Sequence, residues 1–278
     1  MPPRDSTADW EVARPARTGA PAGVDMAGFR IGDDHPVELR AFPHPAVTVA
    51  VGFGDRPLDV HAEAGRIRSG GLVAGLGFTA LRVRADGIQC VQVRLSPLIA
   101  HRVLGVPLAE LRGGVVTLDD LWGRDTPRLR ERLHHTRTWA ERFAVLDAEL
   151  RVRRQAGKPV DPEVAWVWRL IVAGRGRVRV SDLAARAGWS RQRLWSRFGA
   201  QLGLTPKRAA MLVRFDNAIH HLVRGRSAAL VAADAGYTDQ PHLHHDVRAF
   251  TGGITLASAA REPWLTVDAR AWPDPVVG

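Results

Sequence analysis

Two stretches in the last hundred residues are diverged copies of one another. The first copy contains, in order, Leu183, Ala184, Gly188, Trp189, Leu194 and Phe198. The second contains Val231, Ala232, Gly236, Tyr237, Leu243 and Val247, at an offset of 48 residues that becomes 49 at the last apolar pair. A glycine between two short stretches of helical apolar spacing predicts a helix, a turn and a second helix in each copy. The repeat therefore predicts two helix-turn-helix units, with one extra residue in the second turn.

Capping side chains mark the predicted helix starts. In the first unit, Ser181 is predicted to cap a short helix and Ser190 a second helix over residues 191–202. Gly188 is expected to take a positive φ, because glycine enters that region at little steric cost and so ends the first helix. In the second unit, Ser227 and Asp239 are predicted to cap the equivalent helices, the latter over residues 240–251.

A long helix is predicted between the two units. Thr205 and Pro206 form a strong start, since proline at the first helical position loses no needed hydrogen bond. Apolar residues at helical spacing continue to about Arg224. Such a rigid connector would hold the second helices of the two units at the spacing of successive major grooves, roughly 34 Å.

The exposed side of each second helix is the candidate DNA contact. Helix-turn-helix proteins place the start of this helix in the major groove, where Arg pairs with guanine and Gln with adenine. The candidates for base contacts in the first unit are Arg191, Gln192, Arg193 and Trp195, with Arg197 and Lys207 for phosphates. The candidates in the second unit are Gln240, His242, His244 and His245. In the alternative interpretation, the arginines only form a solvated face.

Charge favours the DNA-binding hypothesis and separates the two units. The chain has a formal net charge of +10, and residues 169–214 hold eleven basic side chains with Asp182 as the one acid. Residues 227–250 reverse this balance, with Arg248 against three aspartates. Attraction to phosphates supplies most of the non-specific affinity for DNA. We therefore expect the first unit to supply most of the binding affinity and the second unit to be a weak reader of base sequence.

The three histidines of the second unit have several interpretations. They would add positive charge only as the pH falls through about 6.5, which would make the second contact sensitive to acid. In an alternative interpretation, the histidines only hydrogen-bond to phosphate or solvent. A zinc site is disfavoured, because no cysteine or carboxylate at ligand spacing joins them.

Residues 164–256 resemble the DNA-binding domain of AraC/XylS-type transcription regulators. The resemblance lies in DLAARAGWSRQRLWSRF, then GLTPKR, then VAADAGYTDQPHL. It implies base-reading positions at Gln192, Trp195, Ser196, Gln240, Pro241, His242, His244 and His245. Two features depart from the family pattern: the basic residue usual near the middle of each reading helix is Ser196 or His245, and the usual proline after the second unit is absent from GGITLAS.

The resemblance also implies partners and a regulatory role. It implies binding to double-stranded DNA, action on RNA polymerase as in activators of that group, and an N-terminal domain that senses a small-molecule effector or pairs with a second copy as a homodimer. LSPLIAHRVLGVPLAEL and WAERFAVLD are similar to an actinobacterial subset of these regulators. The chain would then be a one-component regulator.

The N-terminal half is predicted to be β-rich. VTVAVGF, GLVAGLGFTALRV and GIQCVQVRL have strand-like composition with glycine-bearing breaks. The fold class is therefore α+β: a β-rich N-terminal domain with following helices, then an all-α domain with two helix-turn-helix units joined by a long helix. The predicted divisions are a flexible arm over 1–25, a β-rich domain over 26–156, the DNA-binding domain over 160–260 and a C-terminal tail over 261–278.

Several helices are predicted between the strands and the first unit. Pro97 opens one that Gly105 closes, Pro127 opens another, and Thr138 caps a third. RVRRQAGKPVD is predicted to be a linker, and Pro162 restarts a helix.

The main alternative is a bifunctional protein whose N-terminal domain is an enzyme or a metal or redox sensor delivered to DNA. His35, His44 and His61 lie near predicted strands, but their spacing is irregular. Cys90 has no nearby cation in the sequence to activate its thiol, which favours a small buried residue. Since no catalytic motif stands out, the sequence predicts neither an enzyme nor a cofactor.

Composition adds few constraints. The apolar runs are too short to span a bilayer, and MPPRDSTADW lacks the apolar stretch of a signal peptide, so we expect a cytoplasmic protein without a membrane partner. A single cysteine excludes an internal disulfide.

Overall fold

Among the residues that the structure describes, ten strands of the N-terminal half form two sheets with antiparallel pairing. The structure is a computed structural model that describes residues 10–16, 22–32, 37–62, 65–77, 79–85, 87–111, 114–259, 262, 265, 267–268 and 271–272. Its strands are β1 (Trp10–Ala13), β2 (Val24–Ile31), β3 (Val37–Ala41), β4 (Val47–Gly52), β5 (Leu58–Ala62), β6 (Gly65–Ser69), β7 (Gly71–Ala74), β8 (Leu81–Ala85), β9 (Gln89–Leu95) and β10 (Val115–Thr117). The larger sheet has the order β1-β2-β9-β4-β7-β10, and the smaller sheet has the order β3-β8-β5-β6.

Helices occupy most of the chain after β9. They are α1 (Pro97–Leu104), a 3-10 helix (Leu108–Leu111), α2 (Leu118–Trp122), α3 (Asp125–His135), α4 (Trp139–Ala156), α5 (Pro162–Ala173), α6 (Val180–Arg186), α7 (Arg191–Leu202), α8 (Pro206–Val223), α9 (Ala228–Ala235), α10 (Gln240–Thr251) and α11 (Leu256–Ala259). The predicted α+β class, with a β-rich half followed by helices, is confirmed.

The central strand β9 shows why the larger sheet is buried on both faces. Val91, Val93 and Leu95 point to one side and join the core that the helices cover. Cys90, Gln92 and Arg94 alternate with them and line a cavity between the two sheets. The alternation in GIQCVQVRL thus predicts the two faces of the strand, but not that the second face is enclosed.

Two of the predicted helix starts are confirmed in detail. α1 begins at Pro97, and Gly105 ends it with a φ of +74°. Thr138 caps α4, accepting from the Glu141 backbone N–H at 3.2 Å, while the Glu141 carboxylate accepts from the Thr138 N–H at 2.9 Å. This reciprocal pair satisfies two backbone donors that a helix start would otherwise leave free.

Other boundaries differ from the predictions. The linker predicted over residues 151–161 is wrong for residues 151–156, because α4 continues to Ala156 and Gly157 ends it. α3 begins two residues before Pro127. The strand-like stretch GLVAGLGFTALRV contains two strands, β7 and β8, which belong to different sheets.

The arm predicted over residues 1–25 is wrong where the structure describes it from Trp10 to Ala13. This stretch is strand β1, which pairs with β2 in antiparallel register. The indole Nε1 of Trp139, on α4, donates to Glu11 Oε1 at 2.6 Å. This hydrogen bond joins β1 to α4. The pairing partner is distant in sequence, so the proline- and alanine-rich composition gives no sign of it.

One apolar core runs from the larger sheet through the helices to both repeat units. It includes Val93 of β9, Leu146 of α4, Trp168 of α5, Phe198 of α7 and Phe215 of α8. α7 also packs against α1 and the 3-10 helix. Side chains before and after residues 156–160 pack into this same core. The domain boundary predicted there therefore stays a prediction.

Candidate nucleic-acid interface

The turn of the first unit has the geometry that its glycine predicts. Gly188 has a φ of +67°, and the Trp189 N–H donates to the Ala184 carbonyl at 3.1 Å. Ser190 then accepts from the Arg193 N–H at 3.1 Å and caps α7. Leu194 and Phe198 of α7 are fully buried. The predicted cap at Ser181 is wrong, because α6 begins one residue earlier and Arg179 is its N-cap.

The second unit repeats this geometry. Gly236 has a φ of +77°, and the Tyr237 N–H donates to the Ala232 carbonyl at 2.9 Å. After one additional residue, Asp239 accepts from the His242 N–H at 2.7 Å and caps α10. Leu243 and Val247 are buried at the positions equivalent to the apolar pair of α7. The two halves of the sequence repeat therefore fold alike, including the extra residue in the second turn.

The predicted contacts on α7 lie on one open face. Arg191, Gln192, Arg193 and Ser196 are exposed, and Trp195 is partly exposed. The Arg191 guanidinium lies 5.6 Å from the centre of the Trp195 ring. The Arg193 guanidinium lies 4.7 Å from the Trp189 ring, which extends the aromatic surface to the turn. Stacking on a ring restricts each guanidinium without neutralising its charge.

Arg197 is engaged within the protein. Its guanidinium donates from Nε to Asp161 Oδ2 at 2.8 Å, and from Nη2 to the same oxygen at 2.7 Å. Asp161 precedes α5, and its backbone N–H donates to Gln201 Oε1 at 2.9 Å. About half of the Arg197 side chain is exposed. The residue therefore ties α7 to the start of α5, and its predicted phosphate contact stays a prediction. Lys207, in the first turn of α8, is exposed.

The predicted contacts on α10 also face outward. Gln240, Pro241 and His245 are exposed, whereas His242 and His244 are partly buried. The His242 ring stands edge-on to Tyr237, with centroids 5.1 Å apart, and its Nδ1 lies 3.4 Å from Thr238 Oγ1. His242 is thus held by its own turn, which leaves Gln240 and His245 as the more open side chains of this face.

The connector α8 contacts α10 directly. Phe215 stacks on Phe250 with centroids 4.5 Å apart. Arg214 Nη2 donates to Asp246 Oδ2 at 3.0 Å, and the Arg214 guanidinium also lies 4.3 Å from the Tyr237 ring. Both charged side chains are largely buried. Arg214 therefore does not contribute to the exposed basic surface, although the charge count of residues 169–214 includes it.

A cavity between the two sheets is a second candidate site. It is lined mainly by apolar side chains, with about 1110 Å³ of empty space that is partly open to solvent. His44, Thr48, Gln92 and Arg94 supply polar atoms to its wall. Burial lowers the pKa of His44 well below 6.5, and the nearby charges of Arg94 and His220 lower it further. The cavity thus offers an apolar space with a few polar groups on its wall, as small-molecule sites do.

The sensor residues considered from the sequence do not converge on a metal or a reactive thiol. His61 lies on β5 and its Nε2 is 4.0 Å from Asp59 Oδ1, whereas Nε2 of His44 hydrogen-bonds Thr48 Oγ1 at 2.9 Å. His35 lies outside the described residues. Within the described parts of the chain, no three His, Cys, Asp or Glu side chains are placed to hold a metal ion. Cys90 is buried, and burial raises its pKa to about 12.

The duplicated turns are matched by a known domain family. Residues 183–254 match the helix-turn-helix domain family. This segment holds both turns, the connector and the second helix of each unit, α7 and α10, so the sequence-based assignment of the repeat as helix-turn-helix units is confirmed. The finer resemblance to an actinobacterial subset stays a prediction. No curated protein matches the chain significantly.

Solved structures place the helix-turn-helix units in a larger fold that this chain shares. ToxT from Vibrio cholerae superposes with a TM-score of 0.51 at 10% identity, over 86% of this chain and 98% of ToxT. Wild-type ToxT from Vibrio cholerae with a bound unsaturated fatty acid gives a TM-score of 0.51 at 8% identity, over 86% and 95% of the two chains. Within the residues searched, no helix is long and apolar enough to cross a membrane.

Proposed function

We propose that this chain is a sequence-specific DNA-binding transcription regulator of the AraC/XylS type. Its two helix-turn-helix units would read adjacent major grooves, with α7 and α10 as reading helices. One observation carries this proposal: the turn geometry is duplicated at Gly188 and Gly236, and each following helix exposes polar residues on the side opposite its buried apolar pair. The family match over residues 183–254 supports the same conclusion.

Charge assigns different tasks to the two reading helices. On α7, Arg191 and Arg193 flank Gln192 on an exposed face, which suits both phosphate attraction and bidentate base contacts. On α10, Gln240 and His245 are exposed, while Asp246 of the same helix is used internally by Arg214. The first unit would therefore supply most of the affinity, and the second would add sequence preference.

We further propose that the N-terminal domain is a sensor whose cavity binds a small apolar effector. Its apolar wall and few polar groups are the supporting observation. The shared fold with ToxT, one structure of which holds an unsaturated fatty acid, favours an apolar carboxylic acid as the effector class. Cys90 is buried with a raised pKa, so its thiol does not supply a reactive thiolate at neutral pH.

The DNA-binding proposal is tested by selection from random duplexes. The full chain is used to enrich DNA from a library with a randomised core of about two helical turns, and the recovered duplexes are sequenced. We expect two conserved blocks with centres about one helical turn apart, since the connector fixes the reading helices. Recovery of sequences with no shared blocks would contradict sequence-specific reading. A single block would contradict the joint use of both units.

A further inference from the structure

A buried ion pair joins two parts of the chain that are 174 residues apart. Arg94, on β9, donates from Nη2 to Asp268 Oδ1 in the C-terminal segment. Their side chains are only 5% and 11% exposed. Taking two charges out of water is costly unless they are well paired, so each of these groups depends on the other for its counter-charge. The contact is therefore a specific docking point for the C-terminal segment.

Apolar residues hold the same segment against the N-terminal domain. The latch segment is defined here as the described residues Leu265, Val267, Asp268, Ala271 and Trp272, all of which are buried. Val267, Ala271 and Trp272 join the core that contains Trp10 and Phe29 of the larger sheet. The Trp272 ring lies 4.5 Å from the Arg94 guanidinium carbon and covers the cation. Leu265 joins the other core, which extends into α8 and α10.

Arg94 and Asp268 lie close enough to Asp216 of the connector helix α8 for their charges to act on its carboxyl group. Asp216 and His220 of α8 are buried, and the His220 Nδ1 lies 2.8 Å from the Asp216 carbonyl oxygen. Burial raises the pKa of Asp216, while the charges of His220 and Arg94 oppose that effect. Arg94 of the cavity wall, Asp268 of the latch segment and Asp216 of the connector α8 thus belong to one buried polar cluster.

Polar atoms of this cluster are left without partners. Within the described part of the chain, Arg94 Nε, His44 Nδ1 and His220 Nε2 are buried and accept or donate no hydrogen bond. Arg94 and His44 both line the cavity. Unsatisfied buried polar groups are costly, so a ligand that supplies an anionic acceptor beside Arg94 would gain strong charge-assisted hydrogen bonds.

We propose that the latch segment is an internal competitor of the effector. Asp268 holds the position on Arg94 that the carboxylate of an apolar effector would take, so effector binding releases the latch segment from the cavity wall and from α8. This inference rests on the proposed sensor role of the cavity. It adds how occupation of the cavity reaches the DNA-binding half: through loss of the Asp268 and Trp272 contacts next to the connector.

The experiment measures binding of oleate and of its neutral analogue oleyl alcohol to the full chain by titration calorimetry. Asp268→Asn removes the competing charge and leaves Arg94 unpaired, so we expect oleate to bind at least about tenfold more tightly than to the wild type. Oleyl alcohol should show no such gain. Asp234→Asn is the matched control, because Asp234 pairs with Arg226 on the protein surface, and it should bind oleate as the wild type does.

Hydrogen exchange on the same samples follows the latch itself. In the wild type, saturating oleate should increase exchange over residues 262–272 and at α8 residues 214–222. The double variant Arg94→Met with Asp268→Leu removes the anion position but keeps an uncharged buried pair, a replacement that folds tolerate well. The double variant should not bind oleate more tightly than the wild type does. Its hydrogen exchange over residues 262–272 should not increase when oleate is added. If Asp268→Asn alone does not fold, the double variant still tests the proposal, because its oleate affinity and hydrogen exchange can be compared with those of the wild type.

The contradicting results are specific. Equal oleate affinity in the wild type and Asp268→Asn, or unchanged exchange over residues 262–272 with oleate bound, would overturn the latch and leave the sensor role standing. No oleate binding to either protein would contradict the proposed sensor role and the latch with it. These results are distinguishable from failure of the proposed DNA-binding function, because recovery of a bipartite duplex by the wild-type chain does not depend on oleate.

Discussion

Arg214 of the connector α8 donates to Asp246 of the second reading helix at 3.0 Å, and both side chains are largely buried. This contact and the stacked rings of Phe215 and Phe250 join the connector to the second unit. The orientation of α10 relative to the connector is therefore set in part by a buried charge pair.

Breaking the pair between Arg214 and Asp246 should destabilise the chain and disturb the second unit. Removing one partner of a buried pair leaves an unpaired charge, so Asp246→Asn should cost about 3 kcal/mol of the free energy of unfolding. The double variant Arg214→Met with Asp246→Leu should recover most of that loss. Chemical denaturation of the three proteins checks this, and equal stability of Asp246→Asn and the wild type would show that the pair contributes nothing.

Gln192 and Lys207 should have different effects on DNA binding. Gln192→Ala would remove the proposed base contact, so we expect a loss of about 1–3 kcal/mol at particular base pairs of the first block and little change elsewhere. Lys207→Ala would remove the proposed phosphate contact, so it should weaken binding to every sequence and reduce the slope of log K against log salt by about one. Titrations with single-base variants of the selected duplex measure both. Uniform losses for Gln192→Ala would mean that it does not read bases.

Gly188 should be required for folding of the first unit. Its φ of +67° is costly for a β-branched residue, although a Cβ added at this position would meet no atom of the described structure within 4 Å. Gly188→Val should therefore lower stability through backbone strain by roughly 2 kcal/mol, and Gly188→Asn should cost less because Asn tolerates this region. Thermal unfolding compares them. Equal melting temperatures for the two variants would rule out strain as the cause.

His44 should make stability depend on pH. Because burial holds its folded-state pKa below the ordinary value of 6.5, the unfolded chain takes up this proton first as the pH falls. The contribution of His44 is then fully present above about pH 6.5 and is lost as the pH falls toward the folded pKa. Denaturation between pH 7.5 and 5.5 should show a shallower pH slope for His44→Asn than for the wild type. A His245→Asn control, at an exposed site, should keep the wild-type slope.

Local patterns predict the DNA-binding half well. Ser190, Thr205, Ser227 and Asp239 all cap the helices predicted from them, because capping uses atoms only three residues apart. The glycine turns follow the same local logic. The prediction for Ser181 is wrong because the helix starts one residue before it, at a boundary that backbone geometry sets and no strong side-chain cap marks.

The N-terminal half is harder to predict because its contacts are distant. Strand β1 depends on pairing with β2 across a segment rich in proline and glycine, and nothing near Trp10 indicates that partner. The C-terminal residues are predicted from the sequence to be a tail, yet Asp268 pairs with Arg94 in the core. No short-range signal could connect these two residues, since they lie 174 positions apart in the sequence.

The most direct measurement of the central claim is base-resolved hydroxyl-radical footprinting of the full chain on the selected duplex, with Gln192→Ala and Gln240→Ala in parallel. We predict two protected segments about one helical turn apart, with Gln192→Ala weakening specific protection in one segment and Gln240→Ala in the other. One continuous footprint that both substitutions weaken equally, or none, would contradict two helix-turn-helix units reading adjacent grooves.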